Sequence, residues 1–98
     1  MNNNGQNYRD FINFTAVVNT RTDEEFLQLV ELCEKRGLSG IRYLARFGYD
    51  ELHRDCGEQV IPYGELCVEY RMGDATFTIG DRESYEKYGC RILTVDEL

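Results

Sequence analysis

The stretch from Thr22 to Gly37 constrains the fold more than any other part of the chain. In Thr22-Asp23-Glu24-Glu25 the Thr22 hydroxyl can accept from the amide three residues on, Glu25 can reach back, and the acids favour the positive start of a helix. Phe26, Leu29, Val30 and Cys33 then recur at helical spacing, Leu27 and Leu32 widen the stripe, and Lys35-Arg36-Gly37 supplies cations and a left-handed stop. A helix with so broad an apolar face must be buried against another layer. With 98 residues, and domains running to roughly 100 to 200, that layer belongs to one domain spanning 1–98.

The runs on either side supply the layer. Phe11 to Val18 puts Ile12, Phe14, Ala16 and Val18 on one face and Asn13, Thr15 and Asn19 on the other, which predicts a half-buried strand before the helix. Glu65 to Arg71 and Ala75 to Ile79 alternate as well, and Met72-Gly73-Asp74 joins them as a hairpin. Gly80 to Gly89 has an Asp81 start, a glycine stop, and Tyr85 and Tyr88 three apart, predicting a short helix, and Cys90 to Val95 closes as a strand. The expected class is α+β: a small antiparallel sheet with helices on one face, in the split βαβ, ferredoxin-like element order.

An insertion interrupts that order. Gly37, Gly40, Gly48, Gly57 and Gly64 break residues 38–64 into pieces that read either as an irregular excursion packed by its aromatics or as two short helices near 40–47 and 50–56. In the helical reading Ile41, Leu44 and Ala45 share one face, and Tyr49, Leu52 and Cys56 share another. Val60-Ile61 reads as a brief strand, and Pro62-Tyr63-Gly64 as a turn with proline at its first central position. Residues 1–8, rich in asparagine, read as a flexible head.

Charge narrows the function classes. Eighteen acidic residues against eleven basic give a net charge of −7, which repels phosphate backbones and anionic lipid and argues against direct nucleic-acid or membrane binding. No apolar run reaches the ~18 residues of a membrane span, and Met1 to Asn7 lacks the positive start and apolar middle of a secretion signal. A cytoplasmic setting is therefore expected. Cys33, Cys56, Cys67 and Cys90 show no C-x-x-C, so reduced thiols are expected rather than disulfides.

Thr22 to Leu27, Leu32 to Gly37 and Gly80 to Leu93 together resemble small accessory proteins of bacteriophages and other mobile elements. There, a strand leads to a T-x-E-E helix and a G-(D/S)-x-x-x-(Y/F) segment precedes the last strand. The resemblance covers about half the chain and leaves residues 40–64 unmatched. It implies no catalytic residue. It implies a setting in a bacterial host cell where short acidic proteins inhibit host defence nucleases, the anti-CRISPR proteins among them.

Constellations that could carry chemistry have plainer readings. Glu24-Glu25, Asp50-Glu51 and Asp96-Glu97 lie at predicted helix starts or at the last residues, where capping explains paired carboxylates as well as acid–base catalysis would. His53 and Cys56 could form a nucleophilic pair, yet nothing marks a third group or an oxyanion hole, and an amphipathic turn accounts for both. One histidine with thiols 23, 11 and 23 residues apart is no metal-ligand set, and no phosphate-binding glycine loop occurs, so neither metal nor cofactor is expected. Nine arginines to two lysines allow an anion pocket through Arg42, Arg46, Arg54 or Arg71, or simple pairing with the surrounding acids.

Surface character is the remaining signal. Tyrosine offers large, stiff contact area, and Tyr43, Tyr49, Tyr63, Tyr85 and Tyr88 lie off the clear core positions. With Asp50, Glu51, Asp55, Glu58, Asp81, Glu83 and Glu86 they form the expected partner-binding set. The expectation is a non-enzymatic acidic protein, monomeric or homo-oligomeric, that inhibits a host nucleic-acid-binding factor by occupying its basic surface. The alternative is a binder that sequesters an anionic nucleotide signal through its arginines.

Overall fold

The computed structural model describes residues 4–38, 40–46, 49–54 and 61–98. The chain runs α1 (Asn4–Ile12), β1 (Ala16–Thr20), α2 (Asp23–Lys35), α3 (Ile41–Ala45), α4 (Tyr49–Arg54), β2 (Leu66–Arg71), β3 (Thr76–Asp81), α5 (Arg82–Lys87) and β4 (Arg91–Thr94), and a 3-10 turn at Val95–Glu97 follows. The α+β class holds, and the insertion contributes helices.

α2 follows its sequence closely. Thr22 Oγ1 accepts from the Glu25 amide at 3.1 Å, Phe26, Leu29, Val30 and Cys33 are buried, and Gly37 takes φ 82°. Glu25 does reach back, but to the amide of Arg21 at 2.8 Å, one residue before the cap.

The sheet is mixed, with strand order β3-β2-β1-β4. β1 is antiparallel to β2, with Val18 opposite Val68, and parallel to β4, with Val18 opposite Leu93; β2 and β3 form the expected hairpin, with Tyr70 opposite Phe77. This differs from the all-antiparallel, ferredoxin-like sheet that the element order suggested. The reason lies in the insertion. α2 alone would carry the chain the length of the sheet, about 20 Å at 1.5 Å per residue. The 38–64 stretch brings it back, so β2 enters at the end where β1 leaves, Thr20 opposite Leu66.

Alternation divides the sheet into two faces. Ala16, Val18, Leu66, Val68, Tyr70, Phe77 and Leu93 face the core with Phe11 of α1, the apolar stripe of α2, Ile41 and Leu44 of α3, and Tyr49 and Leu52 of α4. Val17, Asn19, Cys67 and Glu69 point to the opposite face and are buried there. β3 and β4 run the same way, so their connection must cross the sheet, and α5 crosses it on that second face, where Tyr85 bonds Glu69. Helices therefore cover both faces, not one.

The sequence also read Phe11 to Val18 as one strand after a loose head. Instead α1 occupies Asn4–Ile12, and its register buries Phe11 against Tyr70 and Phe77 while Phe14 turns outward. Asparagine holds the helix in place: Asn7 Nδ2 donates to the Glu97 carbonyl at 2.9 Å, and Asn7 Oδ1 accepts from Arg91. α1 stops at a left-handed residue, Phe14 (φ 75°), with Thr15 N–H bonded to the Asp10 carbonyl at 3.0 Å. At the other disputed turn, Glu65 N–H bonds the Pro62 carbonyl and Gly64 takes φ 86°, so Pro62 precedes the central pair instead of starting it. Ile61 is buried outside any strand, and Val60 lies outside the described residues.

Candidate functional site

Strand direction gathers the acid. β1, β3 and β4 all finish at one end of the sheet, where β2 begins. Onto that end fall Asp23 and Glu24 from the first turn of α2, Glu65 before β2, Asp81 as the last residue of β3, Glu83 just after it, and Asp96 and Glu97 after β4. Arg21 lies among them, paired to Glu25 at 2.6 Å and within reach of the Asp96 charge. Arg82 stands at this end too, while Lys35 and Arg36, which close α2, Arg71, which closes β2, and Arg91, which opens β4, sit toward the other end, where Glu34, Asp10 and Asp74 accompany them. Gly40, which follows α2, lies against the backbone of the β2–β3 hairpin, where a Cβ would stand 2.7 Å from the Ala75 carbonyl oxygen, so α2 ends on the hairpin side.

Two recesses flank α5. The first, about 350 Å³, is lined by Pro62, Glu65, Asp81, Arg82, Glu83 and Glu86. Sheet register builds it: Leu66 opposes Asp81, and the Arg82 amide donates to the Glu65 carbonyl at 2.9 Å. Arg82 holds Glu86 at 2.7 Å, Lys87 approaches Glu83 at 3.5 Å, and Asp81 accepts from the Ser84 hydroxyl at 2.6 Å. Four carboxylates thus surround a single guanidinium inside the recess, and Glu65 and Asp81 make no ion pair among the described residues.

The second recess, about 440 Å³, is lined by Phe14, Glu69, Arg71, Tyr85, Tyr88 and Cys90. Glu69 Oε1 accepts from Tyr85 OH at 2.8 Å and from Thr78 Oγ1 at 2.9 Å, and Arg71 Nε lies 3.7 Å from Oε2. Burial and the bond to Glu69 push the Tyr85 phenol well above its ordinary range, so it acts as a donor. Gly80 makes room for that ring: a Cβ there would sit 2.9 Å from Tyr85 Cε2.

No family model, curated protein or solved structure matches the chain.

Of the expected contact residues, Asp81, Glu83 and Glu86 converge on the acidic recess; exposed Tyr63 follows the lining residue Pro62 in sequence, and its ring packs against Tyr49. Tyr85 and Tyr88 belong to the second recess instead. Tyr49 is buried and donates to the Thr20 carbonyl at 2.6 Å, while Tyr43 is exposed on α3. Glu51 is exposed on α4; Asp50, His53 and Arg54 belong to the same helix, and their side chains lie outside the described ones. Asp55, Cys56 and Glu58 lie outside the described residues altogether.

Among the described arginines only Arg42 and Arg46 share a site, and Arg71 lies apart from them. Arg42 and Arg46 border a shallow depression with Tyr43 on the core-side helices, where Arg42 pairs with Glu34 and Arg46 lies over the Tyr43 ring. Arg71 belongs to the opposite face, beside Glu69. The buried thiols are poor nucleophiles: burial pushes Cys33 and Cys67 up to about 12. Among the described residues Cys33, Cys67 and Cys90 are free thiols.

Sequence reasoning passed over Glu65, Glu69 and Phe14. Glu65 could have been found, since it follows a turn glycine at the mouth of a strand. Glu69 alternates with Val68 and Tyr70 and so reads as a solvent-facing residue; only the crossing of α5 buries it.

Proposed function

We propose that this chain is an acidic binding protein, acting without bond making or breaking, that occupies the basic nucleic-acid-binding surface of another protein. Its site is the acidic end of the sheet, centred on the recess of Glu65, Asp81, Glu83 and Glu86 with Tyr63 beside it. The observation that carries the reading is the separation of charge along the strands. Carboxylates collected at one end produce a directional field, which attracts a cationic groove as phosphate does and orients the molecule as it approaches. The resemblance to mobile-element accessory proteins makes a bacterial defence nuclease of the CRISPR effector type, met in the host cytoplasm, the partner to try first. The nucleotide-sequestering alternative is the weaker reading: Arg42 and Arg46 share one shallow depression, but Arg42 is paired with Glu34, and Arg71 lies on the other face beside Glu69.

The test is the rate of association with such an effector across salt concentration. Steering of this kind fades as the Debye length contracts to about 8 Å at 0.15 M salt. Glu65→Gln, Asp81→Asn and Glu83→Gln together should slow association about ten-fold at low salt while leaving the dissociation rate nearly unchanged. An on-rate indifferent to both salt and the triple substitution would remove the proposal.

A further inference from the structure

Phe14 ends α1 in a left-handed conformation, φ 75°, at the position where helices usually place glycine. A residue with a Cβ is strained there, and the ring is not rewarded by burial, for 51% of the residue remains exposed. Strain of this sort concentrates at binding sites. Phe14 lines the cleft of about 440 Å³ on the second face together with Tyr88, which is 85% exposed beside the left-handed Gly89.

At the cleft's base Glu69 is only 5% exposed. Its Oε1 is filled by two hydroxyl donors, whereas Oε2 accepts no hydrogen bond among the described residues. The nearest cation, Arg71 Nε, stops at 3.7 Å, beyond bonding distance, and its side chain is half exposed. A carboxylate oxygen with unused lone pairs, aromatic walls and one loosely held guanidinium share a single recess.

We propose that this cleft binds an organic cation, an alkylguanidinium or alkylammonium group, which docks on Glu69 Oε2 in place of Arg71 and is held by the rings of Phe14 and Tyr88. Aromatic faces attract such cations, most strongly where water is excluded, and a carboxylate at the base supplies the charge-assisted hydrogen bond. An anion would meet the Glu69 charge, and an uncharged ring would leave Oε2 unsatisfied. Arg71 shows that a guanidinium fits, and as the resident competitor it gives the proposal a sign: removing it must strengthen binding. The cleft lies on the Arg71 and Cys90 side of α5, away from the acidic end, so the inference does not depend on the function proposed above.

A basic side chain of a protein and a free small amine share this chemistry. Both are tested by amide chemical-shift titration of the full chain with capped arginine (N-acetyl-arginine methylamide) and with 1,4-diaminobutane. Shifts should centre on Phe14, Glu69 and Tyr88, and whichever probe binds more tightly assigns the source. Arg71→Ala should tighten binding about three- to ten-fold, and Tyr88→Ala should weaken it by a similar factor. Glu69→Gln keeps an acceptor for Tyr85 and Thr78 and should weaken binding at least ten-fold. Phe14→Gly should raise the unfolding midpoint while weakening binding, because it relieves the strain and removes a wall. The proposal is overturned if Arg71→Ala binds no better than the unsubstituted chain, if Glu69→Gln binds equally well, or if neither probe shifts the cleft at about 10 mM.

Discussion

Phe11 and Phe14 are three residues apart, and exchanging each for alanine distinguishes the observed helix from the strand that the sequence suggests. Phe11 is completely buried, with ring centroids 6.5 Å from Tyr70 and 6.3 Å from Phe77, both tilted. Truncating a core phenylalanine costs about 3–5 kcal/mol, and aromatic pairs at these separations contribute about 0.5–1.5 kcal/mol beyond their area. Phe11→Ala therefore belongs near the top of that range, about 4–5 kcal/mol, a large fraction of the roughly 5–15 kcal/mol that holds a domain together. With a urea slope of about 2 kcal/mol/M the midpoint should fall by about 2 M. Phe14→Ala exchanges one left-handed, half-exposed residue for another and should stay within about 0.5 kcal/mol. A strand with Ile12, Phe14, Ala16 and Val18 inward reverses the order of the two costs. If Phe14→Ala proves the more damaging in equilibrium urea denaturation, the docking of α1 described above is wrong.

Three further outcomes are expected. Thr22→Ala removes the acceptor for the Glu25 amide and should cost about 1 kcal/mol by the same denaturation assay. Gly40→Ala drives a Cβ to 2.7 Å from the backbone oxygen of Ala75, which no side-chain rotation relieves, and should lower stability by about 1–3 kcal/mol. Burial raises the Cys33 and Cys67 thiols from 9.0 to about 12, so the folded chain keeps protons that the unfolded chain loses. The stability these two thiols contribute is then constant below about pH 8 and falls as pH rises between 9.0 and about 12, with a shallower decline in Cys33→Ala and Cys67→Ala by thermal unfolding across that range.

Legibility in the sequence tracks how local each determinant is. α2 could be read because its cap, stripe and glycine stop lie within sixteen consecutive residues, and the β2–β3 hairpin because its strands adjoin their turn. α1 was hidden because its evidence is distant: Phe11 is fixed by Tyr70 and Phe77, and Asn7 by Arg91 and the Glu97 carbonyl. Strand direction was hidden for a similar reason. Whether β4 runs with or against β1 depends on how often the chain crosses the sheet, and residues 38–64 gave no count of crossings. The acidic residues after β3 were visible as acids, but their meeting with Glu65 required the register of Leu66 against Asp81. The aromatic cleft was out of reach, since it joins the end of α1, the middle of β2 and the end of α5.

β1 is the central difficulty of making this molecule. Ala16, Val17 and Val18 are apolar toward both faces, and Val68 and Leu93, the partners that cover the edges of Val18, lie 50 and 75 positions further along the chain and leave the ribosome later. Such long-separation pairings make folding slower than that of a helical bundle of the same size. Until Leu93 is available, the nascent strand remains a sticky ribbon with two open sides, so overexpression should depend on holdase chaperones and on growth temperature more than the final stability suggests.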